Sequence, residues 1–124
     1  MLRILLADHH VHVLRALKTM LLERPELVAV GEAVDVNGLL SLSEKLLPDL
    51  ILIDIELPGG PIEDLIAALH LLEPKPYVII MSSEIEHSRM ILKAGADAFV
   101  SKGDDPEWLV ETLYQYEARI RNED

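Results

Sequence analysis

Apolar positions follow two alternating rhythms along the chain. Leu2-Arg3-Ile4-Leu5-Leu6-Ala7, Leu50-Ile51-Leu52-Ile53 and Tyr77-Val78-Ile79-Ile80-Met81 are short, nearly unbroken apolar runs. Runs of this kind are typical of strands buried on both faces of a parallel sheet. Leu27 to Val34 reads as a further strand, with Val28, Val30 and Ala33 or Val34 inward, and Ala98-Phe99-Val100 as a short fifth one. Between them the apolar residues recur every three or four positions, as on one face of a helix. Residues 11–23 place Val11, Leu14, Leu17 and Leu21 on such a face, and Pro25 ends it. Asn37-Gly38 opens a second helix through Leu39, Leu42, Leu46 and Leu47, stopped by Pro48. After the loop Pro58-Gly59-Gly60-Pro61, a third helix is predicted over Ile62 to Leu72, and a fourth over Glu84 to Ala94 with Gly95 as its αL residue. Asp105 caps a fifth helix that has Pro106 in its first position and Trp108, Leu109, Leu113, Tyr116 and Ile120 inward or at an interface.

Five strand–helix units in one run predict a single α/β domain: a parallel sheet covered on both faces by right-handed crossovers. Two strand orders satisfy this pattern, a flavodoxin-like one and a Rossmann-like half. The chain's 124 residues suit one domain with one core, and its single Trp and single Phe make that core aliphatic. With no cysteine, disulfides and thiolate metal sites are excluded. Arg3 and Asp8 interrupt the first apolar stretch, so no signal peptide is read there, and no run approaches the roughly 20 residues of a spanning helix. A cytoplasmic location without membrane contact is expected. The formal net charge of −11 argues against direct nucleic-acid binding by this domain, because phosphate contacts need clustered Lys and Arg.

Chemistry concentrates where the strands end. The first gives Asp8, His9 and His10, the third Asp54, the fourth Ser82 and Ser83, the fifth Ser101 and Lys102. In a parallel sheet these ends share one edge. Two carboxylates brought together there repel, so the edge wants a cation or a proton. Carboxylates, a hydroxyl and an ammonium together suit a divalent cation and a phosphoryl group. Capping is the plainer role open to Asp8 and Ser82, each of which precedes a helix. No glycine follows the first strand, so a pyrophosphate-cradling turn is excluded there.

These pieces, in this order, resemble the receiver domain of bacterial two-component response regulators. The matching segments are Ile4-Leu5-Leu6-Ala7-Asp8, Pro48-Asp49-Leu50-Ile51-Leu52-Ile53-Asp54-Ile55-Glu56-Leu57-Pro58, Ser82-Ser83, Lys93-Ala94-Gly95-Ala96-Asp97-Ala98-Phe99 and Ser101-Lys102. The resemblance implies a flavodoxin-like (βα)5 fold with strand order 2-1-3-4-5. It implies that residues 1–121 form the domain and 122–124 a tail, or the start of a linker to an absent output domain. It implies no enzyme beyond self-dephosphorylation. Asp54 would be the phosphoacceptor for a sensor histidine kinase, and Asp8, Asp54 and the Glu56 backbone carbonyl would hold Mg²⁺. Ser82 would bond the new phosphoryl group, Lys102 would ion-pair with it, and Phe99 would change position on activation. The face made by the fourth helix, fifth strand and fifth helix would bind a partner or a second copy. The style of residues 93–96 resembles receivers joined to helix-turn-helix output domains, which implies control of transcription.

The sequence departs from that family at two places. His9 stands where a second acid normally touches the metal. Losing a unit charge about 4 Å from the ion is worth up to ~4 kcal/mol at an effective dielectric of about 20, and Mg²⁺ affinity is expected to fall roughly tenfold or more. Three readings of His9 stay open: a spacer that lost the acid, a ligand for a softer ion such as Mn²⁺ or Zn²⁺, or a pH-sensitive group. Its presence also motivates a second functional reading, a degenerate receiver acting as a phosphorylation-independent interaction module. His10 sits where the family often has a His before a proline and reads as structural, and His12 lies on the solvated face of its helix. Second, Pro61-Ile62 replaces a dipeptide, Asp-Gly, frequent in the family's loop after the phosphoacceptor, so the third helix is expected to start differently.

Overall fold

The computed structural model describes residues 1–123. Five strands, β1 (Leu2–Ala7), β2 (Leu27–Ala33), β3 (Leu50–Asp54), β4 (Tyr77–Ser82) and β5 (Ala98–Ser101), alternate with α1 (Val11–Leu22), α2 (Val36–Leu46), α3 (Ile62–Leu69), α4 (Ser88–Lys93) and α5 (Pro106–Glu123). All pairings are parallel, in the order β2-β1-β3-β4-β5. The flavodoxin-like order therefore holds and the Rossmann-like half does not.

Strand alternation divides the core in two. Leu5, Ala7, Ile51, Ile53, Val78 and Ile80 point to the side covered by α2, α3 and α4, where Leu39, Leu65, Ile66, Leu69 and Ile91 meet them. Leu2, Ile4, Leu6, Leu50, Leu52, Ile79 and Met81 point to the other side, under Leu14 and Leu21 of α1 and Leu109, Leu113 and Tyr116 of α5. Because both faces are covered, the central strands read as continuous apolar runs.

β2 breaks the simple alternation. Ile4 pairs with Ala29 but Leu5 with Gly31, so Val30 is an extra residue. That bulge flips the strand's parity: Leu27 and Ala29 serve one core, Ala33 the other. Val30, the extra residue, is only half-buried, as is Val28 before the bulge, against the inward placement expected for both; of the alternatives Ala33 and Val34, Ala33 is the buried one.

Helix ends also differ from expectation. Asp35, rather than Asn37-Gly38, starts α2, its carboxylate accepting from Gly38 N at 2.7 Å. α2 ends on Leu47 at φ 47, and Arg3 donates to the freed carbonyls of Leu46 and Leu47, 2.8 Å each. α3 stops at Leu69, short of Leu72. The segment before α4 is a 3₁₀ turn over Ile85–His87, so the α-helical part begins only at Ser88. Gly95 holds φ 109, as its place after that helix requires. Trp108 is 61% exposed and Val11 58%, so neither belongs to the core. α5 continues through Glu123, which places residues 122 and 123 of the expected tail in the helix; Asp124 lies outside the described residues.

Candidate functional site

The sheet register builds the site. Ala7 pairs with Ile53, so Asp8, one residue on, lies beside Asp54. Asp54 pairs with Met81, which brings Ser82 to the same edge. Ser82 pairs with Ser101, and Lys102 N donates to the Ser82 carbonyl at 2.8 Å, which fixes where the lysine leaves β5. The four candidates thus converge because four parallel strands end at one level.

Asp8 is fully buried and Asp54 is 2% exposed. Lys102 Nζ sits between them, 3.1 Å from Asp8 Oδ2 and 3.2 Å from Asp54 Oδ1. Partial burial by itself would lower the pKa of this ammonium. The hydrogen bond to Asp8 and the charges of Asp54 and Asp8 outweigh that effect and hold it above the ordinary lysine value.

The remaining oxygens face the histidines. Asp8 Oδ1 accepts from the His10 backbone N–H at 2.8 Å and lies 3.1 Å from His10 Nδ1. It therefore fixes the turn out of β1 instead of capping α1 with its side chain, and His10 is tied to it on two atoms. Asp54 Oδ2 has no hydrogen-bond partner among the described residues, although it is buried. His9 Nδ1 is 3.9 Å from it, too far for a hydrogen bond. The His9 and His10 rings pack on each other with centroids 3.8 Å apart.

Ligand atoms of Asp8, His9, His10 and Asp54 lie within 4.8 Å of one another. Two carboxylates beside one ammonium leave a net negative pocket, and one buried carboxylate oxygen is unused by the fold. That donor set fits a divalent cation. Glu56 lies in the turn closed by Leu57 N donating to the Asp54 carbonyl at 3.0 Å, with its side chain exposed.

Ser82 is buried at this edge but is turned elsewhere. Its Oγ accepts from Glu84 N at 3.0 Å and lies 2.9 Å from His87 Nδ1. The Glu84 carboxylate lies 3.3 Å from His87 Nε2. A chain of contacts from serine to imidazole to carboxylate results. Neither His87 nor Glu84 stood out in the sequence. The only signal was their closeness to Ser82 before a helix, and the 3₁₀ turn that folds His87 back was not legible. Phe99 is half-buried against the core under α4.

A family model described as "Response regulator receiver domain" matches residues 4–114. The nitrate/nitrite response regulator protein NarL of Escherichia coli K12 is 33% identical over 114 residues, covering 90% of this chain and 53% of that protein. The uncharacterized transcriptional regulatory protein YhcZ of Bacillus subtilis is 31% identical over 113 residues, covering 90% and 53%. The chain thus spans about half the length of these relatives. Among solved structures, the signal receiver domain of the putative response regulator NarL from Mycobacterium tuberculosis superposes with a TM-score of 0.84 at 25% identity, covering 94% of this chain and 96% of that one.

Proposed function

This chain belongs to the response regulator receiver domains of two-component systems, and from that premise we propose that Asp54 is its phosphoacceptor, Lys102 and Ser82 its phosphoryl-binding groups, and a sensor histidine kinase its donor. One observation carries the proposal: the Asp54 carboxylate is 2% exposed, yet one of its oxygens has no partner among the described residues. Leaving a buried carboxylate oxygen unsatisfied costs roughly 1–3 kcal/mol, a cost that a purely structural aspartate has no reason to carry.

A carboxylate oxygen of Asp54 attacks phosphorus in the kinase's phosphohistidine. The new P–O bond forms as the P–N bond breaks, and the electron pair returns to the imidazole, which takes up a proton. Lys102, already within 3.2 Å of Asp54 Oδ1, follows the transferred charge onto the phosphoryl oxygens. A divalent cation held by Asp8, Asp54, the Glu56 carbonyl and His9 — Mg²⁺ by resemblance, Mn²⁺ as the alternative — would neutralise the charge that develops during transfer. Ser82 must exchange His87 for the phosphoryl group, and that exchange links the phosphate to the turn before α4. Phe99, half-buried beneath the same helix, shifts with it.

The readout surface is then α4, β5 and α5, which carries exposed Met90, Leu92 and Trp108. A second copy or a partner binds there, and an output domain controlling transcription completes the protein. The name of the YhcZ relative supports that last step. Among the described residues no helix is long and apolar enough to cross a membrane.

Beryllofluoride, which mimics the phosphoryl group, tests the reading. With a divalent cation present it should shift amide resonances of Ser82, the Ile85–His87 turn, Phe99 and Lys102. Unchanged spectra would mean a module that acts without phosphorylation.

A further inference from the structure

We propose that His9 and His10 remake the acidic pocket into a mixed nitrogen–oxygen site that takes a divalent transition metal of the zinc class in preference to Mg²⁺. The inference rests on reading this pocket as the receiver's cation site, and it goes further by naming the ion class and the atoms that select it.

The two carboxylates divide their oxygens between two sides. Lys102 takes Asp8 Oδ2 and Asp54 Oδ1. The other two, Asp8 Oδ1 and Asp54 Oδ2, face His10 Nδ1 at 3.1 Å and His9 Nδ1 at 3.9 Å. The lysine and an ion therefore do not compete for the same atoms. The result is a four-donor set, two oxygens and two ring nitrogens, with ligand atoms within 4.8 Å of one another.

These separations match a small four-coordinate ion. With metal–nitrogen and metal–oxygen bonds of about 2.0–2.2 Å, tetrahedral donors stand roughly 3.4 Å apart. The His10–Asp8 pair is slightly closer than that and the His9–Asp54 pair slightly wider, while the four residues' ligand atoms spread over as much as 4.8 Å, so side-chain rotation must draw the widest pair together by up to about 1.4 Å. Asp54 Oδ2 supplies the independent sign of a missing ligand, because it is buried without a partner among the described residues. The two rings pack together at the end of β1 and remain partly open to solvent, which provides an entry path.

Ion choice follows from the donors. Mg²⁺ takes oxygen ligands and holds its waters, whereas imidazole suits zinc and its neighbours. In the absence of metal the 3.1 Å contact places a hydrogen between His10 Nδ1 and Asp8 Oδ1. Ligation through Nδ1 moves that hydrogen to Nε2, a tautomer change open to a neutral ring.

Calorimetric titration of the whole chain with Zn²⁺, Mn²⁺ and Mg²⁺ at neutral pH tests this. The expected order is Zn²⁺, then Mn²⁺, then Mg²⁺, with Zn²⁺ at least about 100-fold tighter than Mg²⁺. His9→Ala with His10→Ala should weaken Zn²⁺ by at least about 10–100-fold, the cost of losing outer-shell partners alone, and His9→Asp should raise Mg²⁺ affinity at least about tenfold. Both rings are substantially exposed, and the helical circular dichroism signal checks that the variants fold. On the unaltered chain, Zn²⁺ should shift the ring signals of His9 and His10 before those of His12, His70 and His87. Equal Zn²⁺ and Mg²⁺ affinities, or tight Zn²⁺ binding kept by the double variant, overturn the inference. Phosphoryl uptake on Asp54 alongside equal affinities overturns it while leaving the phosphoacceptor reading intact. Zinc preference without phosphoryl uptake, under any of the three ions, upholds it and removes that reading.

Discussion

Replacing Lys102 with alanine takes the ammonium from between two buried carboxylates. Oxygens of Asp8 and Asp54 lie within 4.8 Å of each other, so at an effective dielectric of about 20 their full charges repel by about 3.5 kcal/mol. The lysine side chain is 26% exposed and the pocket borders solvent, so water replaces part of what is lost. A net destabilisation of about 2–3 kcal/mol is expected at neutral pH, measured by urea unfolding without divalent ions. The pH dependence identifies the cause. Lys102's pKa is held above its ordinary value in the folded protein, so its contribution is complete below the ordinary lysine range. It is lost as pH rises through the raised value. The gap between unaltered and Lys102→Ala protein should therefore close on the alkaline side, and saturating divalent cation should restore more stability to the variant than to the unaltered chain. A variant as stable as the unaltered protein, or a deficit constant far into alkali, would refute the electrostatic account of this edge.

Three further outcomes follow from particular contacts. Asp35→Ala removes the side-chain acceptor of Gly38 N at the start of α2 and should cost about 1 kcal/mol in thermal or urea unfolding. Leu47 closes α2 at φ 47 with its side chain partly exposed, so Leu47→Gly should raise stability by about 0.5–1 kcal/mol by removing left-handed strain. His87→Ala frees the Ser82 hydroxyl from its 2.9 Å contact. One hydrogen bond of about 1 kcal/mol no longer opposes the switch, and beryllofluoride affinity should rise about fivefold by fluorescence or calorimetry.

The central strands were legible because burial on both faces leaves an uninterrupted apolar run, and the strand-end chemistry followed because parallel strands finish together. Asp8, Asp54 and Lys102 could thus be gathered from sequence order alone. β2 departs from simple alternation at Val30 because a one-residue bulge there reverses which side chains face inward, and a bulge leaves no mark in a run of valines and alanines. α3 ends early because the chain tightens into turns, Leu71 N donating to the Ala68 carbonyl and Leu72 N to the Leu69 carbonyl, while Leu72 still packs on the core and so continues the apolar rhythm without the helix. Ser82 was correctly placed at the edge. Its present partner, His87, depends on a 3₁₀ turn whose residues Ile85–His87 carry no distinguishing pattern. The division of carboxylate oxygens between Lys102 and the histidines is a matter of side-chain direction, which spacing cannot reveal.

The switching role proposed for this strand edge depends on Asp54 accepting a phosphoryl group. Intact-mass measurement after incubation with a small phosphoryl donor such as acetyl phosphate, run in parallel with Mg²⁺, Mn²⁺ and Zn²⁺, tests it directly. One added phosphoryl group is expected on the unaltered chain with at least one of these ions, and none on Asp54→Asn. No added mass under any ion, or equal addition to the Asp54→Asn variant, would contradict it.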